Sequence, residues 1–239
     1  MPVVLKFHRN FEVAAHEVQM LKKCVTSDNV LRCLYHDKYS GFSRLALESY
    51  AITLTEFVGV DKDNAIVSLG PRALQEIASG VAFMHARGIV HLNLNPDNIV
   101  LRRGPRGSFR MLVTNVEHSR QLEKDETSFT VGTCWSIGPS TGWFAPELLE
   151  AIKHPAEQAG NETPTGCQPT PLTKAVDIFA LGCIFFYVLT GGGHPFGDID
   201  ERDNNIHRKS ICLERLRCMR AHDLITKMVC SIESERSVN

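Results

Sequence analysis

Between Ile178 and Leu189 the chain reads Ile-Phe-Ala-Leu-Gly-Cys-Ile-Phe-Phe-Tyr-Val-Leu, a run without a charged side chain. A helix of this composition has no polar face to offer water, so other elements must enclose it. It is also shorter than the ~20 residues that span a bilayer, which makes it a buried helix and not a membrane segment. With 239 residues the chain can build the core such a helix requires, as one large domain or two small ones. The formal net charge of −1 shows no basic excess, so nucleic acid is not an indicated partner. Arg102, Arg103, Arg106 and Arg110 cluster locally and read as the solvated flank of a hairpin. Eight cysteines occur without paired C-x-x-C spacing, and no N-terminal stretch has the apolar core of a secretory signal. Reduced thiols in a cytoplasmic setting are therefore expected. Cys183 belongs to the apolar run and packs as a small hydrophobe. Cys212, Cys218 and His207 lack the spacing of a zinc site.

Along the chain, a strand is expected at residues 3–7 and a helix at 12–23. Phe11, Ala14, Val18 and Leu21 recur every three to four residues there and so share one buried face. Apolar strands follow near 30–35 and 43–48. A long helix spans Pro71 to Arg87, with Pro in its first turn and Gly88 just past its end. After a polar loop come a strand at 99–102, a Gly-Pro-Arg-Gly turn at 104–107 and a strand at 109–114. Residues 153–171, rich in Pro, Thr, Gly and Gln, read as a flexible insertion. The apolar helix at 173–190 and a helix at 216–231 complete the reading, and no internal repeat is evident.

The polar loop carries the chemistry. His91-Leu92-Asn93-Leu94-Asn95-Pro96-Asp97-Asn98 resembles the protein-kinase catalytic loop H-R-D-L-x-x-x-N. Other kinase-like stretches stand in order around it. Val3-Val4-Leu5-Lys6 matches the strand that presents a phosphate-binding Lys, and Glu17 lies where its ion-pair partner is expected. Gly142-Trp143-Phe144-Ala145-Pro146-Glu147 contains the A-P-E that closes an activation segment. Asp177 opens the apolar helix, and Arg236 sits where kinases place the Arg that pairs with the A-P-E Glu. One branch fits best. Gly191-Gly192-Gly193-His194-Pro195-Phe196-Gly197-Asp198 with Glu201-Arg202-Asp203 and Asn205-Ile206, together with Glu17 to Leu21, Gly88 to His91 and Thr141 to Trp143, resembles the inositol-requiring kinase/endoribonucleases. Those proteins are endoplasmic-reticulum sensors of the unfolded-protein response.

The resemblance implies an α+β, bilobal kinase-like fold. Residues 1–50 would form a truncated N-lobe, a small antiparallel sheet plus one helix without the glycine-loop strands. Residues 51–239 would form a mainly helical C-lobe lacking its last helix, with catalytic loop 89–98, activation segment 115–147, insertion 153–171 and central helix 173–190. It also implies ATP and Mg²⁺ as cofactors, with Lys6, Glu17, Glu48 and Ala51 around the nucleotide and Asn98 and Asn115 at the metal positions. His91, Glu147, Asp177 and Arg236 are expected to serve architecture.

Residue by residue, that chemistry is depleted. Asn93 stands at the position of the proton-accepting Asp, and an amide has no basic site near neutral pH. Asn95 replaces a common Lys. Asn115-Val116-Glu117 occupies the D-F-G place, which removes an anionic ligand from a hard cation that favours carboxylates. Glu117 and Asp97 are expected to be solvated loop acids. Leu92 replaces the Arg that receives an activating phosphate, so Thr127, Ser128 and Thr130 have no receiver. The expectation is a pseudokinase that acts as a binding or regulatory module, as a homodimer or with an active relative, in the cytoplasm or at the cytosolic face of the endoplasmic reticulum. The alternative is a weakly active Ser/Thr kinase, or a fragment of a full-length kinase/endoribonuclease.

Overall fold

The computed structural model describes residues 2–60, 65–131, 142–153 and 170–236. These form two compact units, one of residues 1–91 and 96–121, the other of residues 92–95 and 122–239.

The first unit is built around two small antiparallel sheets. Strands β1 (Val3–His8), β2 (Cys33–Tyr39) and β3 (Phe42–Glu48) lie in the order β1-β3-β2. Ser43, Leu45 and Leu47 on β3 are buried in strict alternation with their neighbours, as the period of a half-buried strand demands. Helix α1 (Phe11–Lys23) buries Ala14, Val18, Met20 and Leu21, whereas Phe11, expected on the same face, is exposed in the first turn, where the Lys38 ammonium lies over its ring. Its first turn is closed by Asn10, whose side-chain oxygen accepts the amides of Glu12 and Val13 at 2.9 and 3.2 Å.

Strand β4 (Ile52–Thr53) leads into helix α2 (Leu54–Val60) through a capping box. Thr53 Oγ1 accepts the Glu56 amide at 3.1 Å, and Glu56 Oε2 accepts the Thr53 amide at 2.7 Å. Helix α3 (Ala65–Ala86) bends at Gly70, where φ is +57°, and Pro71 opens its second piece. Strand β5 (Ile89–Val90) follows, and then strands β6 (Ile99–Arg103) and β7 (Phe109–Val113), which extend a second sheet in the order β4-β6-β7. A Cβ at Gly80 would lie 2.5 Å from the Asn29 carbonyl and 2.9 Å from Val113 Cγ2, so α3 approaches this sheet only because that residue is glycine. Strand β8 (Arg120–Gln121) pairs with β5. The hairpin arginines are engaged locally: Arg102 meets Glu48 at 3.1 Å, Arg110 meets Asp28 at 3.6 Å, and Arg103 lies over the Phe109 ring. The Arg106 side chain is outside the described residues.

The second unit is helical. Helix α5 (Ala175–Leu189) is the expected enclosed element, with Phe179, Cys183, Ile184 and Phe186 at 1% exposure or less. Burial pushes the Cys183 thiol pKa up. The unit also contains α4 (Pro146–Lys153), α6 (Arg202–His207) and α7 (Met219–Met228), of which α7 packs along α5. Phe179 stacks on Phe196 at 5.5 Å, and Ile225, Met228 and Val229 are buried beside it. Phe129 and Leu172 exchange both backbone hydrogen bonds, at 2.9 and 2.7 Å. His207 meets Glu150 and Lys153 on α4. Most of the expected insertion, 154–169, and residues 132–141 of the expected activation segment lie outside the described residues.

Candidate functional site

On β1, Lys6 and His8 are two residues apart and so project from the same face, while Val3, Leu5 and Phe7 project from the other and are exposed. Glu17, on the buried face of α1, is 1% exposed. Lys6 Nζ donates to both Glu17 carboxylate oxygens at 2.9 Å, to Asn115 Oδ1 at 2.6 Å and to Glu117 Oε2 at 3.1 Å. His8 donates through Nε2 to Glu17 Oε2 at 2.7 Å, and its Nδ1 lies 3.6 Å from Glu117.

Asn115 and Glu117 come from the short turn after β7. Asn115 takes the left-handed conformation, φ +60° and ψ +57°, which asparagine tolerates better than most residues. Its amide nitrogen donates to Asn98 Oδ1 at 3.0 Å while its oxygen receives Lys6. Glu117 is part of this cluster, contrary to the expectation of a solvated acid: the Lys6 ammonium draws it in. The adjacent His118, 3.5 Å away, and the Lys6 charge hold its carboxyl at about 2, against burial that would raise it. Asp97, by contrast, is exposed.

His8, Glu17 and Glu117 bring three ligand atoms within 4.8 Å of one another. Lys6 Nζ is within 3.1 Å of both carboxylates and already supplies the compensating cation. The magnesium positions fit no better. Asn98 and Asn115 offer only neutral oxygens, and each of those oxygens accepts a hydrogen bond within the unit. At the two expected hinge positions the backbone amides are engaged within the unit: the Ala51 amide donates to Leu101 at 2.7 Å, and the Glu48 amide to Arg32 at 2.9 Å. The neutral, already bonded oxygens of Asn98 and Asn115 therefore do not fit a tightly held Mg²⁺ in this arrangement.

His91 is fully buried and donates through Nε2 to the Thr114 carbonyl at 2.9 Å. In the second unit, Asn93 and Asn95 are 6% and 5% exposed, and the Asn95 amide donates to the backbone and side-chain oxygens of Asn93 at 3.2 and 3.3 Å. Two amides cannot remove a proton from an alcohol. Asp177, 1% exposed, accepts the Leu92 amide at 2.9 Å. Leu92 itself packs in a closed apolar cluster with Trp143, Phe144 and Leu148.

Residues 5–237 match the family described as protein kinase domain. The chain belongs to the protein kinase family. This kinase domain is related to those of the serine/threonine-protein kinase/endoribonucleases. It is 35% identical to human IRE2 over 86% of this chain and 20% of that protein, and 33% identical to ireA of Aspergillus fumigatus over 92% and 21%. It is 30% identical to ire1 of Schizosaccharomyces pombe, named a sensor for unfolded proteins in the ER, over 95% and 22%. The chain thus spans about a fifth of the length of the curated relatives it matches.

Within the kinase domain, sequence reasoning missed His8 and misread Glu117. The spacing of Lys6 and His8 on one strand was the available signal for the first. Glu117 is separated from Lys6 by 111 residues, and no local pattern announces their contact.

Proposed function

We propose that this kinase domain is a pseudokinase, a module that binds partners and regulates them without transferring phosphate. The observation that carries the reading is the state of Lys6, whose ammonium is bound by Glu17, Asn115 and Glu117 together. Phosphoryl transfer depends on positioning and on electrostatic clamping by a Lys and metal ions. Here the Lys is engaged by the protein's own acids, the metal positions are amides and the base position is Asn93. The partner we propose is a second kinase domain of the same family, either another copy or an active relative. Its place of action would be the cytoplasm, including the cytosolic face of the endoplasmic reticulum, in keeping with the name of the S. pombe relative. No helix among the described residues is long and apolar enough to cross a membrane.

The deciding experiment is transfer of label from the γ position of ATP to a peptide, with and without Mg²⁺. No transfer above a Lys6→Ala control is expected; metal-dependent turnover that this substitution abolishes would remove the proposal. A second reading is favoured by the fifth of each relative's length that the chain spans: it would be the kinase portion of a longer kinase/endoribonuclease. Sequencing the transcript beyond both ends distinguishes the two.

A further inference from the structure

Lys6 has three N–H protons and meets three acceptor groups: both Glu17 oxygens at 2.9 Å, Asn115 Oδ1 at 2.6 Å and Glu117 Oε2 at 3.1 Å. An ammonium has no further donor to offer. Four oxygens already share its three protons, so a phosphate oxygen reaching Nζ must compete with one of these acceptors.

They are not equally held. Glu17 is 1% exposed and also bonded to His8. Asn115 is tied by its other end to Asn98. Glu117 keeps 21% of its side chain exposed, and its remaining contacts, with His118 at 3.5 Å and His8 at 3.6 Å, are longer. It also carries the same sign of charge as a phosphate and occupies an oxygen position on the same ammonium.

We infer that Glu117 is a built-in competitor of nucleotide phosphate, an anion supplied by the chain itself that holds Lys6 against ligand. The inference rests on the pseudokinase reading and deepens it, because it assigns a weakened hold on nucleotide phosphate to one side chain rather than to the whole depleted motif set. Glutamine at this position would keep the contact and remove the charge. Alanine would remove both and free a donor on Nζ.

The test is calorimetric titration of the full 239-residue chain with ATP and with inorganic tripolyphosphate, each with and without Mg²⁺. The proteins are wild type, E117A, E117Q and K6Q/E117A, with ligand-free melts to establish that each is folded. If E117A melts below the working temperature, E117Q carries the test. Both single variants should bind at least about tenfold more tightly than wild type. Tripolyphosphate should gain as much as ATP, since the rivalry is for phosphate, and the gain should vanish in K6Q/E117A. Absence of a gain in both single variants, or a gain that persists without Lys6, overturns the inference. Label transfer in the same preparations keeps the two proposals apart. Turnover by wild type removes the pseudokinase reading, whereas no gain and no turnover removes only the role given to Glu117.

Discussion

Arg236 lies side by side with Glu147, Nη1 on Oε1 and Nη2 2.8 Å from Oε2, across 89 residues of sequence. The guanidinium has no exposure, and its Nε donates to the Cys230 carbonyl at 2.6 Å. Removing one partner of such a pair leaves an uncompensated buried charge, which costs about 3–5 kcal/mol. Arg236→Met should therefore destabilise the domain by that order in urea unfolding, and the Glu147→Met/Arg236→Met pair should recover part of the loss. A single-variant loss below about 1 kcal/mol would mark the pair as surface-like.

His194 supplies a pH dependence. It stands edge-on to Trp143, with ring centroids 4.8 Å apart, and is 7% exposed. Its Nδ1 accepts the Phe196 amide, and its Nε2 has no hydrogen-bond partner among the described residues. Burial, with the Arg202 charge, pushes its pKa from 6.5 down to about 3. The unfolded chain takes up this proton near 6.5 and the folded chain does not. The stability is therefore full above 6.5 and is lost as pH falls from 6.5 toward 3, by up to ~1.4 kcal/mol per pH unit. Urea midpoints measured from pH 7 to pH 4 should fall more steeply for wild type than for His194→Phe; parallel curves would refute this.

How much of this could be read in advance differs by element. Helix α5 was legible because a run with no charged side chain has one fate in a folded chain, and α1 because its apolar spacing marks a single buried face, although Phe11 in its first turn lies outside that face. Helix α2 was missed although Thr53 and Glu56 announce a capping box, since a seven-residue helix has too few turns for periodicity to show. The two-residue strands β4, β5 and β8 exist through pairing with distant partners, and no local propensity encodes that. The kink at Gly70 was hidden because Pro71 alone suggested a helix start. At the site, the Lys6–Glu17 pair followed from the family pattern. Glu117 did not, because Coulomb attraction from Lys6 acts through the fold and leaves no sequence signature.

At Gly182, α5 lies against the C-terminal end of α7. A Cβ there would lie 2.8 Å from both Met228 Cβ and Val229 Cγ1. Gly182→Ala must push the two helices apart, at about 1–3 kcal/mol for overpacking. For a chain of this size that lowers the melting temperature by about 2–4 °C per kcal/mol. A thermal melt with an unchanged midpoint would show that the helices can move apart freely.

Restoring one group should not restore chemistry. Asn93→Asp returns a carboxylate to the base position, and a positioned base is typically worth 10² to 10⁴ in rate. Residues that act as a unit do not contribute singly, however, and Lys6 and Asn115 remain bound to each other. No transfer of γ-label above wild type is expected from this variant. Turnover appearing with the single change would show that the remaining groups are already competent.

The bond from the Leu92 amide to Asp177 Oδ1 secures the loop by its main chain. The anchor uses the peptide N–H and not the side chain, so it needs only a residue that is not proline and that tolerates the left-handed conformation of this position, φ +64°. The reactive side chains of this loop can thus differ while its path is still held to the core by one peptide unit. The chemistry of the loop and the support of its path are, at this point in the molecule, physically separable.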